Sequence, residues 1–114
     1  MWTLRIKREG SKALVTEYQK HIIRKLMSID DTIKSGEMWI HLNKIMGDKA
    51  PSRASVIFFL NDLVDVEYAD FKDGTGKGGH HRRYYTKLTS ELFEKKVYVD
   101  IVNKLKDALD ELFK

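Results

Sequence analysis

An α+β, mainly helical fold is predicted for this 114-residue chain by three observations. Three segments within the first 64 positions carry apolar residues at helical spacing, and a longer amphipathic stretch follows Thr89. Between them, two β-prone runs flank the glycine-rich stretch Gly74-Thr-Gly-Lys-Gly-Gly79. At 42% hydrophobic residues the chain supports one domain with a modest core. It holds a single proline, Pro51, and no Ser/Pro/Gly-rich linker or internal repeat, so one domain spanning 1–114 is expected.

Each element has a local reason. Trp2, Leu4 and Ile6 alternate with Thr3, Arg5 and Lys7, which predicts a short strand or an extended arm over 1–12. Thr16 and Gln19 form a capping box ahead of Tyr18, Ile22, Leu26 and Ile29, so a first helix runs from about Glu17 to Ser28. Asp30-Asp31 turns the chain, and Thr32-Ile33 reads as one short strand. Ser35 then caps a second helix, Gly36 to Met46, with Trp39, Leu42, Ile45 and Met46 on one side. After Pro51, Ser52 is the N-cap of a third helix reaching about Val64, whose Val56, Phe59, Leu60 and Leu63 fall in one sector and face the core. Tyr68-Ala-Asp-Phe-Lys-Asp73 and Arg82-Arg-Tyr-Tyr-Thr-Lys87 read as paired strands joined through the glycines, which permit positive φ and close approach at the tip. Thr89 caps the last helix, with Tyr98, Ile101, Val102, Leu105, Leu109, Leu112 and Phe113 along one stripe. That seam packs on the first helix or pairs with a second copy; its length favours a homodimer.

Composition removes several function classes. The chain has no cysteine, which excludes disulfides and thiolate metal sites. Its longest apolar run, Val56 to Leu60, is far short of the roughly 20 residues that span a bilayer. The first residues also lack the apolar core of a secretion signal, so a cytoplasmic, nucleoid-associated protein without a membrane partner is expected. His21, His41, His80 and His81 show no metal-ligand spacing, and no nucleophile elbow or dinucleotide fingerprint occurs. The Gly74–Gly79 run sits between strands and lacks the following helix that phosphate cradling requires. No catalytic residue, metal or cofactor is therefore expected.

The net charge of +4 is unevenly placed. Residues 1–12 and 70–88 each carry +3, while 13–69 and 89–114 each carry −1. The excess positive charge thus lies in the N-terminal arm and the glycine-rich hairpin, where a polyanion is drawn. Double-stranded DNA is the polyanion that a helix tip and a hairpin can press at two points. Ser52, Arg53, Ala54 and Ser55 at the leading end of the third helix, with Lys49 just ahead, permit close approach to phosphates and base edges. Phe58 and Asn61 also point outward on that helix. Lys77, His80, His81, Arg82 and Arg83 cluster beside the hairpin tip as phosphate contacts. Arg5, Lys7 and Arg8 form a minor-groove arm or belong to an edge strand that knits a dimer.

The order of helix, short strand, two helices, hairpin and long helix is that of a winged helix-turn-helix with a β-hairpin wing. Ser35-Gly-Glu-Met-Trp-Ile-His-Leu42, Ser52-Arg-Ala-Ser-Val-Ile-Phe-Phe-Leu-Asn-Asp-Leu63 and Tyr84-Tyr-Thr-Lys-Leu-Thr89 resemble winged-helix repressors of the penicillinase-repressor type, with MarR and PadR regulators as near neighbours. The resemblance covers roughly residues 16 to 112 and rests on spacing. It implies a winged-helix core over 16–88 with its wing over about 68–87, a dimerisation helix over 89–114, and a repressor bound to a palindromic operator. The helix at 52–64 then enters the major groove. Asp62, Asp65 and Glu67 depart from this pattern by making that helix's far end acidic. Phe58, outward among them, touches a thymine methyl or packs under the wing. Relatives that sense copper do so through cysteines, which this chain lacks, and the effector stays unassigned. The competing expectation is a winged-helix adaptor that binds protein in a transcription or repair complex.

Overall fold

Thr16, Ser52 and Thr89 each stand at the N-cap of a helix in the computed structural model. It describes Trp2, residues 4–76 and residues 79–114, with the backbone alone at 75, 76, 79 and 80. The Ser52 hydroxyl accepts from the Ser55 N–H at 3.1 Å and the Thr89 hydroxyl from the Leu92 N–H at 3.2 Å, satisfying donors that no helical carbonyl reaches. The Gln19 side chain accepts from the Thr16 N–H at 3.0 Å, closing the far side of the capping box. The helices are α1 (Glu17–Ser28), α2 (Ser35–Met46), α3 (Arg53–Asp65) and α4 (Ser90–Leu112). The strands are β1 (Ile33–Lys34), β2 (Asp70–Gly76) and β3 (Gly79–Tyr85), in an antiparallel sheet ordered β1-β3-β2. This α+β, mostly helical arrangement is consistent with the winged helix that the sequence predicts.

The core is built around α3. Val56, Phe59, Leu60 and Leu63, the four residues its spacing marks, are all buried. They pack with Ile22 and Leu26 of α1, Met38 and Leu42 of α2, and Ile33 and Tyr84 of the sheet. Ile33 and Phe71 both sit opposite Tyr84, so the three strands turn one face to these helices.

Several local expectations change. The N-terminal segment forms no strand among its described residues: Trp2 is buried, the chain turns at Ile6-Lys7, and Gly10–Ala13 makes a short 3₁₀ helix. The Arg5 N–H donates to the Ala13 carbonyl at 2.8 Å, so the segment closes on itself. Burial of the indole, which alternation does not encode, overrides the strand pattern. On α2 the innermost residues are Met38 and Leu42, one turn apart, while Trp39 and Met46 are half-buried and Ile45 is 48% exposed. The Trp39 indole N–H donates to the Pro51 carbonyl at 3.2 Å, which holds the ring at the core's edge. The N-cap of α2 is Lys34 rather than Ser35, and the short strand is Ile33–Lys34. Tyr68 and Ala69 are buried ahead of β2, and strand pairing runs out to Gly76 opposite Gly79.

Helix α4 leans on the body along one stripe only. Val97 is buried, and Phe93 and Ile101 are half-buried against the core. Of the predicted seam, Tyr98, Val102, Leu105, Leu109 and Leu112 are 38–71% exposed, and Phe113 lies just past the helix end. Ile101 apart, the seam is therefore largely open to solvent, its Tyr98, Val102 and Leu105 lining with Leu4, Ala13 and Leu14 a groove of about 680 Å³. No helix among these residues is long and apolar enough to cross a membrane.

Leu60→Ala is expected to destabilise the fold by about 3 kcal/mol in urea unfolding, because the buried site cannot fully collapse. Phe58→Ala, on the opposite side of the same helix, is expected to change stability by less than about 0.5 kcal/mol.

Candidate nucleic-acid interface

Burial of α3's inner stripe leaves Arg53, Ala54 and Phe58 turned to solvent. Pro51 ends the preceding turn, Ser52 caps, and the Ser52 and Ser55 hydroxyls lie 2.9 Å apart. Ser55 is thereby half-buried and engaged, whereas Ser52, Arg53 and Ala54 stand exposed at the positive end of the helix dipole. Lys49 is exposed in the turn before them. The Arg53 guanidinium lies over Gly36 in the first turn of α2, where a Cβ would come within 3.1 Å of Nη2. A glycine at 36 lets the guanidinium rest there without being displaced.

The wing is held at its base by side chains that the sequence placed elsewhere. Strand alternation sends Arg82 and Tyr84 to one face of β3 and His81, Arg83 and Tyr85 to the other. On the first face, the Asn61 carboxamide oxygen accepts from the Tyr84 hydroxyl at 2.6 Å and from Arg82 Nη1 at 3.0 Å. Asn61 is therefore committed to the wing rather than standing free on α3. The Arg82 guanidinium also stacks over Phe71, 4.0 Å from the ring centroid. Burial pushes the Tyr84 hydroxyl above the ordinary tyrosine range, with Arg82 opposing in part, so it stays a donor to Asn61.

On the second face, Arg83 Nε donates to the Thr32 hydroxyl at 2.7 Å, and Nη2 stands 3.9 Å from the Glu37 carboxylate in the first turn of α2. Arg53 and Arg83, 30 residues apart in the numbering, thus both reach that first turn. Arg83 is oriented through part of its guanidinium and retains further N–H donors. His81 packs against Gly74, where a Cβ would meet its Nε2 at 2.7 Å, so a side chain at 74 would push the imidazole aside. Lys77 lies outside the described residues, as does the side chain of His80.

Farther along α3 the character changes. Phe58 is 72% exposed and does not pack under the wing; Phe71 occupies that place beneath Arg82. With Tyr18 and Gln19 of α1 and with Asp62 and Asp65, Phe58 lines an open groove of about 450 Å³. Arg5, Lys7 and Arg8 fold back toward the 3₁₀ helix, with Arg5 also donating to the Leu14 carbonyl at 3.5 Å. Among the described residues no group of three or more His, Cys, Asp and Glu side chains is placed to hold a metal ion. The supporting residues Thr32, Gly36, Glu37 and Phe71 carry no signal in the sequence, because each acts on an arginine far along the chain.

No protein-family model matches the chain, and no curated protein matches it. Its fold is similar to that in a crystal structure from Thermoplasma acidophilum, the protein TA0346, put forward as a transcriptional regulator. The TM-score is 0.55 at 13% identity, over 84% of this chain and 89% of that one. At that identity the likeness is one of fold, and it does not reach the penicillinase-repressor, MarR or PadR type.

Asn61→Ala strips the wing of its anchor and leaves the buried Tyr84 hydroxyl without an acceptor, at an expected cost of about 1–3 kcal/mol. Amide exchange in β2 and β3 is expected to speed up by more than that in α2, measured residue by residue by NMR. Equal acceleration throughout the molecule contradicts a local anchor.

Proposed function

We propose that this chain is a sequence-specific, double-stranded DNA-binding transcriptional regulator, acting as a homodimeric repressor on a palindromic operator. What supports this reading is the meeting of Arg53 and Arg83 at the first turn of α2. It puts the leading end of α3 and the base of the wing on one side of the molecule, with Lys34 opposite Arg83 in the sheet. Ser52, Arg53 and Ala54 then meet base edges, while Lys49, Arg82, Arg83 and the cations nearer the hairpin tip neutralise phosphates. The approach is polar along α3: the cationic, dipole-positive end enters the groove and the Asp62/Asp65 end stays away from phosphates.

In the proposed dimer, α4 pairs through Tyr98, Val102, Leu105, Leu109 and Leu112. Their spacing of four, three, four and three is the 3.5-residue repeat of a two-helix seam. Two-fold pairing places two α3 ends on successive major grooves, about 34 Å apart.

One feature favours a second reading. Phe58, exposed beside Asp62 and Asp65, suits a protein partner better than DNA, as an adaptor requires.

Affinity for duplex DNA, followed by fluorescence anisotropy, is expected to fall steeply between about 50 and 200 mM salt, with a log-log slope of several units. Arg82→Ala and Arg83→Ala are each expected to lower that slope by about 1 and to weaken all sequences alike, whereas Arg53→Ala erases sequence preference. A flat, weak salt response decides for the adaptor. Sedimentation is expected to give a dimer for the native chain and a monomer for Leu105→Asp/Leu109→Asp, with the helical circular dichroism of the body retained.

A further inference from the structure

Helix α4 meets the body at a joint that the interface described above does not use. Tyr68, in the turn between α3 and β2, donates its hydroxyl to Asp100 Oδ2 at 2.5 Å and accepts the Trp2 indole N–H at 2.7 Å. Lys96 stands 3.7 Å from the same Asp100 carboxylate and 4.7 Å over the Tyr68 ring. Lys104 Nζ donates to the Trp2 carbonyl at 3.1 Å. The Phe93 ring lies 5.1 Å from that of Tyr68 and 6.1 Å from that of Trp2. The tyrosine's carbonyl is itself fixed, accepting from the Thr86 hydroxyl at 2.8 Å just after β3. Phe93, Lys96, Asp100 and Lys104 follow one another at about one helical turn, so all four project from one side of α4.

The exposed seam occupies a different side. At about 100° per residue, Tyr98, Val102, Leu105, Leu109 and Leu112 centre about 155° from the joint stripe, close to the opposite side of the helix. A partner seated on the seam therefore leaves the joint intact, and the joint, with Val97 and Ile101 packed beside it, sets how the seam is presented to the body. Burial, with Asp100 adding to it, pushes the Tyr68 hydroxyl far above the ordinary tyrosine range, so the donor in this joint keeps its proton.

We propose that the Tyr68–Asp100 hydrogen bond, braced by Trp2, fixes the attitude of α4 on the body and thereby sets the separation of the two α3 ends in a dimer. Asp100 and Tyr68 are positioning residues, distant from the DNA contacts. This inference rests on the homodimeric DNA-binding reading. The leverage is large: a tilt of about 10° at the joint swings a point roughly 25 Å away by about 4 Å, slightly more than one base-pair step of about 3.4 Å.

The test uses a duplex selected by the native protein from a random pool, with its half-sites then moved by one or two base pairs in either direction. The native protein is expected to lose about tenfold in affinity for each step from its optimum. Tyr68→Phe keeps the ring and its packing, and Asp100→Ala removes the acceptor; both are expected to flatten the profile to within about threefold while binding a single half-site within about twofold of native. Asp100→Asn retains an acceptor and is expected to restore the native profile. The absence of native cysteines permits a second, DNA-free readout with spin labels at Lys44→Cys and Lys106→Cys in protomers diluted with unlabelled chain. The distance distribution is expected to be narrow in the native background and broad with Tyr68→Phe. Unchanged spacing profiles or unchanged distance distributions in Tyr68→Phe and Asp100→Ala overturn the joint. A native protein indifferent to half-site spacing overturns the dimeric reading instead, even where the label distances respond.

Discussion

Burial of one stripe of α3 is the constraint on which the remaining geometry depends. Val56, Phe59, Leu60 and Leu63 run along the helix from its first turn to its last, and all are inside. Each is worth about 1.5–3 kcal/mol of transfer free energy, so the roll of α3 about its own axis is fixed. The outward direction of Arg53, Ala54 and Phe58 follows as a remainder. Rotating the helix by a single residue position so as to bury Ile57 would expose Phe59 and Leu63, at a cost no surface contact recovers.

The wing inherits its place from the same helix. Asn61 sits at the border between the buried stripe and the open face, where a carboxamide reaches the sheet without leaving the core uncovered. Its oxygen gathers the Tyr84 hydroxyl and one Arg82 donor, which converts two flexible side chains into fixtures of the hairpin base. Alternation along β3 then forces Arg83 to the other face, where Thr32 and Glu37 receive it. The two arginines are adjacent in sequence and opposite in space. Along α3 the charge runs from Arg53 at the start to Asp62 and Asp65 at the end, a gradient in the same sense as the helix dipole. A polyanion approaching this surface is drawn to one end of the helix and repelled from the other.

Helix α4 is governed by different physics. Besides Val97 and Ile101 on the core, its contacts with the body include Trp2, Tyr68 and Phe93 and the polar groups around them, where a hydrogen bond to a carboxylate contributes about 1.5–3 kcal/mol. Beyond Lys104 the helix carries Leu105, Leu109 and Leu112 in the open. In the proposed dimer this division assigns orientation to the polar joint and association to the apolar seam.

The sequence by itself determined what is local. The boundaries of α1, the Ser52 and Thr89 caps, the inner stripe of α3 and the paired strands around the glycines all follow from period and capping within one or two turns of chain. It also identified Arg53, Arg82 and Arg83 as the cations beside those elements. Tertiary structure decided what each of them touches. Asn61 meets Tyr84 across 23 residues, Arg83 meets Thr32 across 51, and Trp2 meets Tyr68 across 66. The same distance in sequence explains why Trp2, with Ile6, reads as a strand. Periodicity records which side of an element is apolar, but the partner of a polar group is chosen by the packing of the whole chain. An indole N–H or a carboxamide oxygen carries no trace of that choice in its neighbours.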